Sequence, residues 1–173
     1  MTAVEVYELT SRGGATDFAE VVKICGALGP YCLIGGLAVN CYVEPVYTMD
    51  ADLVLVAAHM QDLPSRLASA GFQVDSFPHS LNASRGESRL RVQFTTDPRY
   101  QDFPARATRQ TVLEESVQVA SLEDVFQGKS WAWSDPARRL TKRKKDELDL
   151  LRLAEAYPAL RASLPGSLRS LLP

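Results

Sequence analysis

Residues 31–55 read YCLIGGLAVNCYVEPVYTMDADLVL. An apolar run, Tyr31–Ile34, breaks at Gly35-Gly36, and a second apolar run opens on Asp50 and Asp52, one residue apart. Two acids set in what otherwise reads as core need an explanation. On a strand, residues i and i+2 point to the same face, so these carboxylates project together, with roots about 7 Å apart by strand rise. Such neighbours repel each other and call for a counter-charge. A divalent cation supplies it, and magnesium takes one or two carboxylates together with phosphate oxygens and water. Upstream, a strand–Gly-Gly–helix turn leaves backbone N–H groups open to an anion at a helix N-terminus. Taken singly, a D-x-D is as readily a solvent-facing edge, and Gly-Gly ordinary turn chemistry. Together they describe a nucleoside triphosphate site. Two other phosphate motifs are excluded: no glycine recurs between Gly36 and Gly71, and no G-K-[ST] follows the turn.

The rest of the chain sets bounds. At 173 residues, with 46% hydrophobic and 23% charged residues, it reads as one soluble globular domain. A net charge of −2 provides no global basic field for nucleic acid or membrane. Cys25, Cys32 and Cys41 fit neither a disulfide framework nor a zinc pattern and read as reduced, buried thiols. His59 and His79 lie outside metal-ligand spacing, and neither Ser84 nor Cys41 has a neighbouring base for nucleophilic hydrolysis. The longest apolar run is too short to span a bilayer, and Glu5 and Glu8 stand where a secretory leader carries basic residues. A cytoplasmic protein without a membrane partner is expected.

Periodicity predicts a helix over 17–28 capped by Asp17, a strand at 31–34, a helix from Gly35 to about Glu44-Pro45, and a strand at 50–56. It then predicts a helix at 60–70, a strand at 72–77 and a polar turn at 82–88. A strand follows at 89–95, with Leu90, Val92 and Phe94 on one face and Arg89, Arg91, Gln93 and Thr95 on the other. Residues 96–110 read as irregular. A strand at 116–119 precedes a helix from Ser121, a second helix spans 138–157, and the last residues read as loosely packed or docked on a partner. This is an α/β (α+β) pattern: a small mixed sheet flanked by helices, with a helical C-terminal portion. Residues 1–115 form the α/β core and 116–173 a strand and helical segment packed on it, one compact domain in all.

IGGLAVNCYVEPVYTMDADLVL resembles the DNA-polymerase-β-like nucleotidyltransferase superfamily, whose signature is a Gly-Gly or Gly-Ser turn, a spacer and D-x-D. It is more closely similar to bacterial toxin nucleotidyltransferases of the AbiEii kind, in which Gly35, Gly36, Ala38, Thr48, Asp50 and Asp52 match the motif. Many relatives carry Arg two residues before the Thr; here it is Val46. VASLEDVFQGKSWAW resembles the family helix bearing Lys129, and KRKKDELDLLRL its closing segment, through Lys145, Asp146 and Asp149. The resemblance implies a nucleotidyltransferase fold and transfer of a nucleotide from NTP, with Mg2+ (or Mn2+), to a hydroxyl of RNA such as tRNA or of an acceptor protein. It also implies a toxin–antitoxin role with an antitoxin-like protein partner. Asp50 and Asp52 would hold the metal; Gly35, Gly36, Thr48, Lys129, Lys145 and Asp146 would bind the nucleotide.

One feature departs from that pattern. The superfamily's third carboxylate, which holds metal and helps deprotonate the attacking hydroxyl, falls at Gln93, and an amide brings neither charge nor basicity. Asp97, with the same face parity, and Asp75, on the neighbouring strand, are the candidate substitutes. Gln93 and Val46 favour a competing reading, a catalytically impaired NTP-binding or protein-interaction module; Asp50, Asp52 and Lys129 oppose it. The six cations among residues 138–145 read in part as a solvated face with i,i+4 pairs, Lys142–Asp146 and Lys145–Asp149. Trp131 and Trp133 read as core rather than as a platform for a base.

Overall fold

Tyr31–Ile34 form strand β1, and all four side chains are buried. An all-apolar strand suits a position with neighbours on both edges and cover on both faces. β1 pairs antiparallel with β2 (Asp50–Leu55) and parallel with β7 (Glu115–Val119). The computed structural model describes residues 1–172, and in it these strands are the centre of a seven-stranded mixed sheet. The other members are β3 (Gln73–Phe77), β4 (Ser80–Ser84), β5 (Arg91–Thr95) and β6 (Thr108–Val112), and the order is β3-β4-β5-β2-β1-β7-β6. β2 and β5 run parallel, with Asp50 opposite Arg91 and Asp52 opposite Gln93.

The helices are α1 (Ala3–Ser11), α2 (Gly14–Leu28), α3 (Gly35–Val39), α4 (Leu63–Ser69), α5 (Phe103–Arg106), α6 (Leu122–Ser134), α7 (Leu140–Ala156) and α8 (Gly166–Arg169). α1 starts at a Thr2–Glu5 capping box. Ser121 caps α6 by accepting from the Asp124 backbone N–H at 3.1 Å. Phe18, Val21, Val22 and Cys25 of α2 are buried, as are Leu150, Leu153 and Ala154 of α7. Among the described residues, no helix is long and apolar enough to cross a membrane. All three cysteines are free, and burial pushes the thiols of Cys25 up to about 12 and of Cys41 up to about 11, so neither is a thiolate at neutral pH.

Several sequence expectations need correction. α2 begins three residues before Asp17, which is no cap: it is buried and accepts from Arg85 Nε at 2.7 Å. α3 stops at Val39 instead of running on to Glu44. The Asn40 side chain grips both the N–H and the C=O of Val46, at 3.0 and 2.8 Å, and folds the chain back there. The expected polar turn at 82–88 begins inside β4, whose Leu81 and Ala83 are buried between β3 and β5. The irregular stretch 96–110 contains α5 and the start of β6. β6 and β7 form a hairpin closed by Leu113 and Glu114, with φ of 50° and 67°. Such primed turns are usually written with Asn or Gly, so this one leaves no local mark. The C-terminal segment docks on its own core through Leu160, Leu164 and Leu168.

Candidate active site

The junction of β1 with α3, the start of β2, residues of β3, β4 and β5, and α6 with α7 enclose a cleft of about 640 Å³, a size suited to a small-molecule ligand. Asp50 and Asp52 both line it. Asp52 faces Gly35, whose φ of 70° lies in the left-handed region. A Cβ placed on Gly35 would overlap the Asp52 carboxylate. Glycine here is thus required twice, by backbone and by close approach. Gly35→Ala is expected to cost about 1–3 kcal/mol from the backbone alone, with the overlap added. The check is the denaturation midpoint, and an unchanged midpoint would refute the placement. Gly36 meets Thr48 only in ordinary contact, and Thr48 Oγ1 accepts from the Asp50 N–H at 3.2 Å.

The two acids differ in environment. Burial opposes ionisation of Asp50, but Lys142 and Arg91 outweigh it and hold its carboxyl below the ordinary value. Lys142 Nζ donates to Oδ2 at 2.5 Å and Arg91 Nε to Oδ1 at 2.7 Å. For Asp52, burial dominates and pushes the carboxyl above its ordinary value; Lys129 opposes this shift, and Asp50 adds to it. One carboxylate is thus neutralised by two cations, while the other sits deeper with no ion pair among the described residues.

Lys129 forms the far wall. Burial disfavours its charge, yet Asp149 and Asp146 outweigh this and raise its pKa, so the ammonium is kept. It donates to Asp146 Oδ1 at 2.9 Å and lies 2.8 Å from Asp149 Oδ2. Arg138 Nε also reaches Asp146, and Arg152 reaches Asp149. Among the described residues, the i,i+4 pairs expected along α7 do not form. Asp146 and Asp149 turn inward to Lys129 because a buried ammonium needs counter-charge more than an exposed one does. Lys142 crosses to Asp50. Lys145 lines the cleft exposed, with no ion pair among the described residues.

Gln93 lies directly opposite Asp52 and lines the cleft. Asp97 does not approach. It caps the turn Pro98–Tyr100, accepts from Arg99 Nε and Nη2 at 3.0 and 2.7 Å, and lies outside the cleft. Asp75 lines the cleft, but on β3 rather than on a strand beside β2. It pairs with Asn82, which pairs with Gln93, which pairs with Asp52. Three strand spacings separate Asp75 from Asp52, about 14 Å, too far to share one ion. Neither substitute acid joins the pair, and the described residues hold no cluster of three metal-binding side chains.

Sequence reasoning gave no site role to Arg91, Asn82 or Arg152, and took Arg138 only as one of the six cations among residues 138–145. Arg91 was within reach, since it precedes Gln93 by the interval that separates Asp50 from Asp52. Trp131 packs on Phe103 and Tyr100 with ring centroids 5.9 and 5.1 Å away, and Trp133 Nε1 donates to Glu147. Neither indole lines the cleft.

Comparison with known proteins places this geometry. No curated protein matches the chain in sequence. Among solved structures, ANT(2″)-Ia in complex with adenylyl-2″-tobramycin superposes with a TM-score of 0.60 at 15% identity, over 91% of this chain and 95% of that one. An antigenic nucleotidyltransferase-like protein from Paracoccidioides brasiliensis gives 0.54 at 18% identity, over 92% and 93%. JHP933 from Helicobacter pylori gives 0.54 at 19% identity, over 95% and 72%. At these identities the likeness is one of fold. The profile of the family described as nucleotidyl transferase AbiEii toxin, type IV toxin–antitoxin system, matches residues 30–171, a span that runs from β1 through α8 and contains every side chain of the cleft named above. The chain belongs to the AbiEii nucleotidyltransferase family.

Proposed function

We propose that this cleft binds a nucleoside triphosphate with Mg2+ (or Mn2+) and transfers its nucleotidyl group to a hydroxyl acceptor. The observation that carries the reading is the pair Asp50 and Asp52 on one strand face, beside a glycine with no side chain and below a wall of cations from α6 and α7. Membership of a nucleotidyltransferase family supports it.

The donor set suits magnesium: two carboxylates on one face, with the remaining positions left to phosphate oxygens and water. When bound there, the metal supplies charge neutralisation at the phosphoryl oxygens. The chain does the rest. Gly35 and Gly36 present backbone to the phosphates, and Thr48 fixes the start of β2. Lys142, paired with Asp50 in the free protein, would be free to reach a phosphate oxygen were Asp50 to hold the metal. Lys145 adds a second cation at no cost in broken ion pairs. Lys129, with Asp146 and Asp149, holds α6 against α7 behind them. Positioning and electrostatics are what such transfers need from a protein.

The family's toxin–antitoxin description supports a toxin role with an antitoxin-like partner, and RNA or a protein as the first acceptors to try. Gln93 beside Asp52 favours one rival, a module that binds NTP without turning it over. Both readings predict that Mg·NTP raises the Tm; at a hundredfold excess over Kd the gain is about 2.7 kcal/mol, or roughly 5–10 °C. Lys145→Ala should leave the Tm of the free protein unchanged and weaken NTP binding about tenfold or more. No shift with any NTP would remove both readings. A shift without transfer of α-phosphate label to any acceptor would leave the binding module.

A further inference from the structure

The two sides of the cleft differ in chemistry. Five of the six cations lining it, Lys129, Arg138, Lys142, Lys145 and Arg152, come from α6, α7 and the segment joining them; the sixth, Arg91, is tied to Asp50. The opposite side is built from β3, β4 and β5, and Arg91 of β5, held by Asp50, is the one cation it contributes among the described residues. Across it runs one row of side chains in register: Asp75, Asn82 and Gln93, ending at Asp52. All four line the cleft.

That row offers hydrogen-bond acceptors in want of donors. Asp75 is exposed and has no ion pair among the described residues. Asn82 Oδ1 is buried and has no hydrogen-bond partner among the described residues. A buried amide oxygen left unpaired costs free energy that a ligand's N–H or O–H would recover. A carboxylate at the far end favours a cation over a phosphodiester. The row spans about 14 Å from Asp52 to Asp75, the length of a few linked sugar rings.

We infer that the acceptor is a hydroxyl compound carrying amino groups, such as an amino sugar or aminocyclitol glycoside. Its hydroxyl stands at Asp52, its N–H and O–H groups reach Asn82 and Gln93, and an ammonium reaches Asp75. The inference rests on the nucleotidyl-transfer reading of the same cleft. The hydroxyl oxygen bonds to the α-phosphorus, and the bond from that phosphorus to the β-phosphate's bridging oxygen breaks. Pyrophosphate leaves with the electron pair, and the hydroxyl proton passes to water. The cationic wall keeps the triphosphate on the α7 side, so donor and acceptor occupy opposite halves of the cleft by charge.

The test uses the full chain with Mg·NTP at saturation, titrated with kanamycin and chitotriose as amino polyols, maltotriose as an uncharged one, and bulk tRNA as a polyanion. Binding is read by thermal shift and transfer by α-phosphate label. The expected result is a saturable shift with the amino polyols only, weakened about tenfold by Asp75→Asn and by Asn82→Ala. The NTP shift is retained in both variants. Asp75 is exposed on an edge strand, so its substitution does not threaten the fold. An NTP shift without an amino-polyol shift overturns the inference and leaves nucleotide binding intact. So does labelling of tRNA, or an amino-polyol shift that Asp75→Asn leaves unchanged. A protein that no NTP shifts fails earlier, at the reading of the cleft itself, and the inference falls with it.

Discussion

Asp52→Asn is expected to lower nucleotidyl transfer by about a thousandfold or more, while raising the Tm of the metal-free protein at neutral pH. The two effects come from one feature. Asp52 sits deep, against Gly35 and beside Asp50, and burial pushes its carboxyl above the ordinary value. A folded pKa above the unfolded one means that the native state holds the proton more tightly. The stability tied to this group is therefore fully present below the unfolded pKa and is lost as pH rises through the folded pKa. At neutral pH the wild type carries that loss, and the neutral amide does not. The Tm advantage of Asp52→Asn should appear as pH rises above the carboxylate range and close again in acid. Thermal melts with chelator present, run from neutral pH down through that range, decide it. A variant that melts lower than wild type at neutral pH would show that Asp52 stabilises the fold, and the idea of a strained acid kept for chemistry would fail. Asp50→Asn should behave differently. Lys142 and Arg91 hold its carboxyl below the ordinary value, so its contribution is present above the unfolded pKa and lost in acid.

Lys129→Met is expected to destabilise the protein by about 3–5 kcal/mol, because it removes the buried cation shared by two buried carboxylates and leaves them short of counter-charge. For a chain of this size that is a fall in Tm of roughly 10 °C or more. The side chains of Lys129, Asp146 and Asp149 are exposed by only 10%, 2% and 13%, so solvent screens little of the loss. Asp146 keeps Arg138 and Asp149 keeps Arg152, but both arginines approach from nearer the surface. Lys145→Ala is the control: the same charge is removed from the same cleft wall, but no ion pair is broken, and the Tm should hold. If both variants melt like wild type, Lys129 is not the tie between α6 and α7 that its contacts indicate. If Lys129→Met retains its Tm but loses NTP binding, the lysine serves the phosphates directly.

How much of this was readable beforehand follows from the range of the interactions. β1 and β2 were legible because each is a short run whose character is local: four apolar residues before a glycine pair, and a D-x-D leading into Leu-Val-Leu. The start of α6 was legible because a cap acts within one turn. The face on which Gln93 lies was legible because face parity on a strand is a local property, and the parallel pairing of β2 with β5 sets it opposite Asp52. β4 and β6 were not. Each is short, and its alternation gains meaning only from the strands on either side, while the Leu113–Glu114 turn carries neither the Asn nor the Gly that marks such hairpins. Missing β4 left Asp75 on a strand expected to be a neighbour, when β4 lies between β3 and β5 and two strands separate Asp75 from β2.

The pairing of charges was the least readable part. Spacing along α7 suggested Lys142 with Asp146 and Lys145 with Asp149, yet Asp146 and Asp149 turn to Lys129 of α6, and Lys142 to Asp50 of β2. An exposed i,i+4 pair is worth a few tenths of a kcal/mol, whereas a buried ammonium without a partner costs several times that, so the contact between helices prevails over the one within a helix. Local order along the chain was enough for the glycine bend, the aspartate pair and the family. Which carboxylate is neutralised, which stays buried and unpaired, and which side of the cleft is cationic depended on residues far apart in sequence being folded together, because charge interactions are set by distance and burial in space rather than by position along the chain.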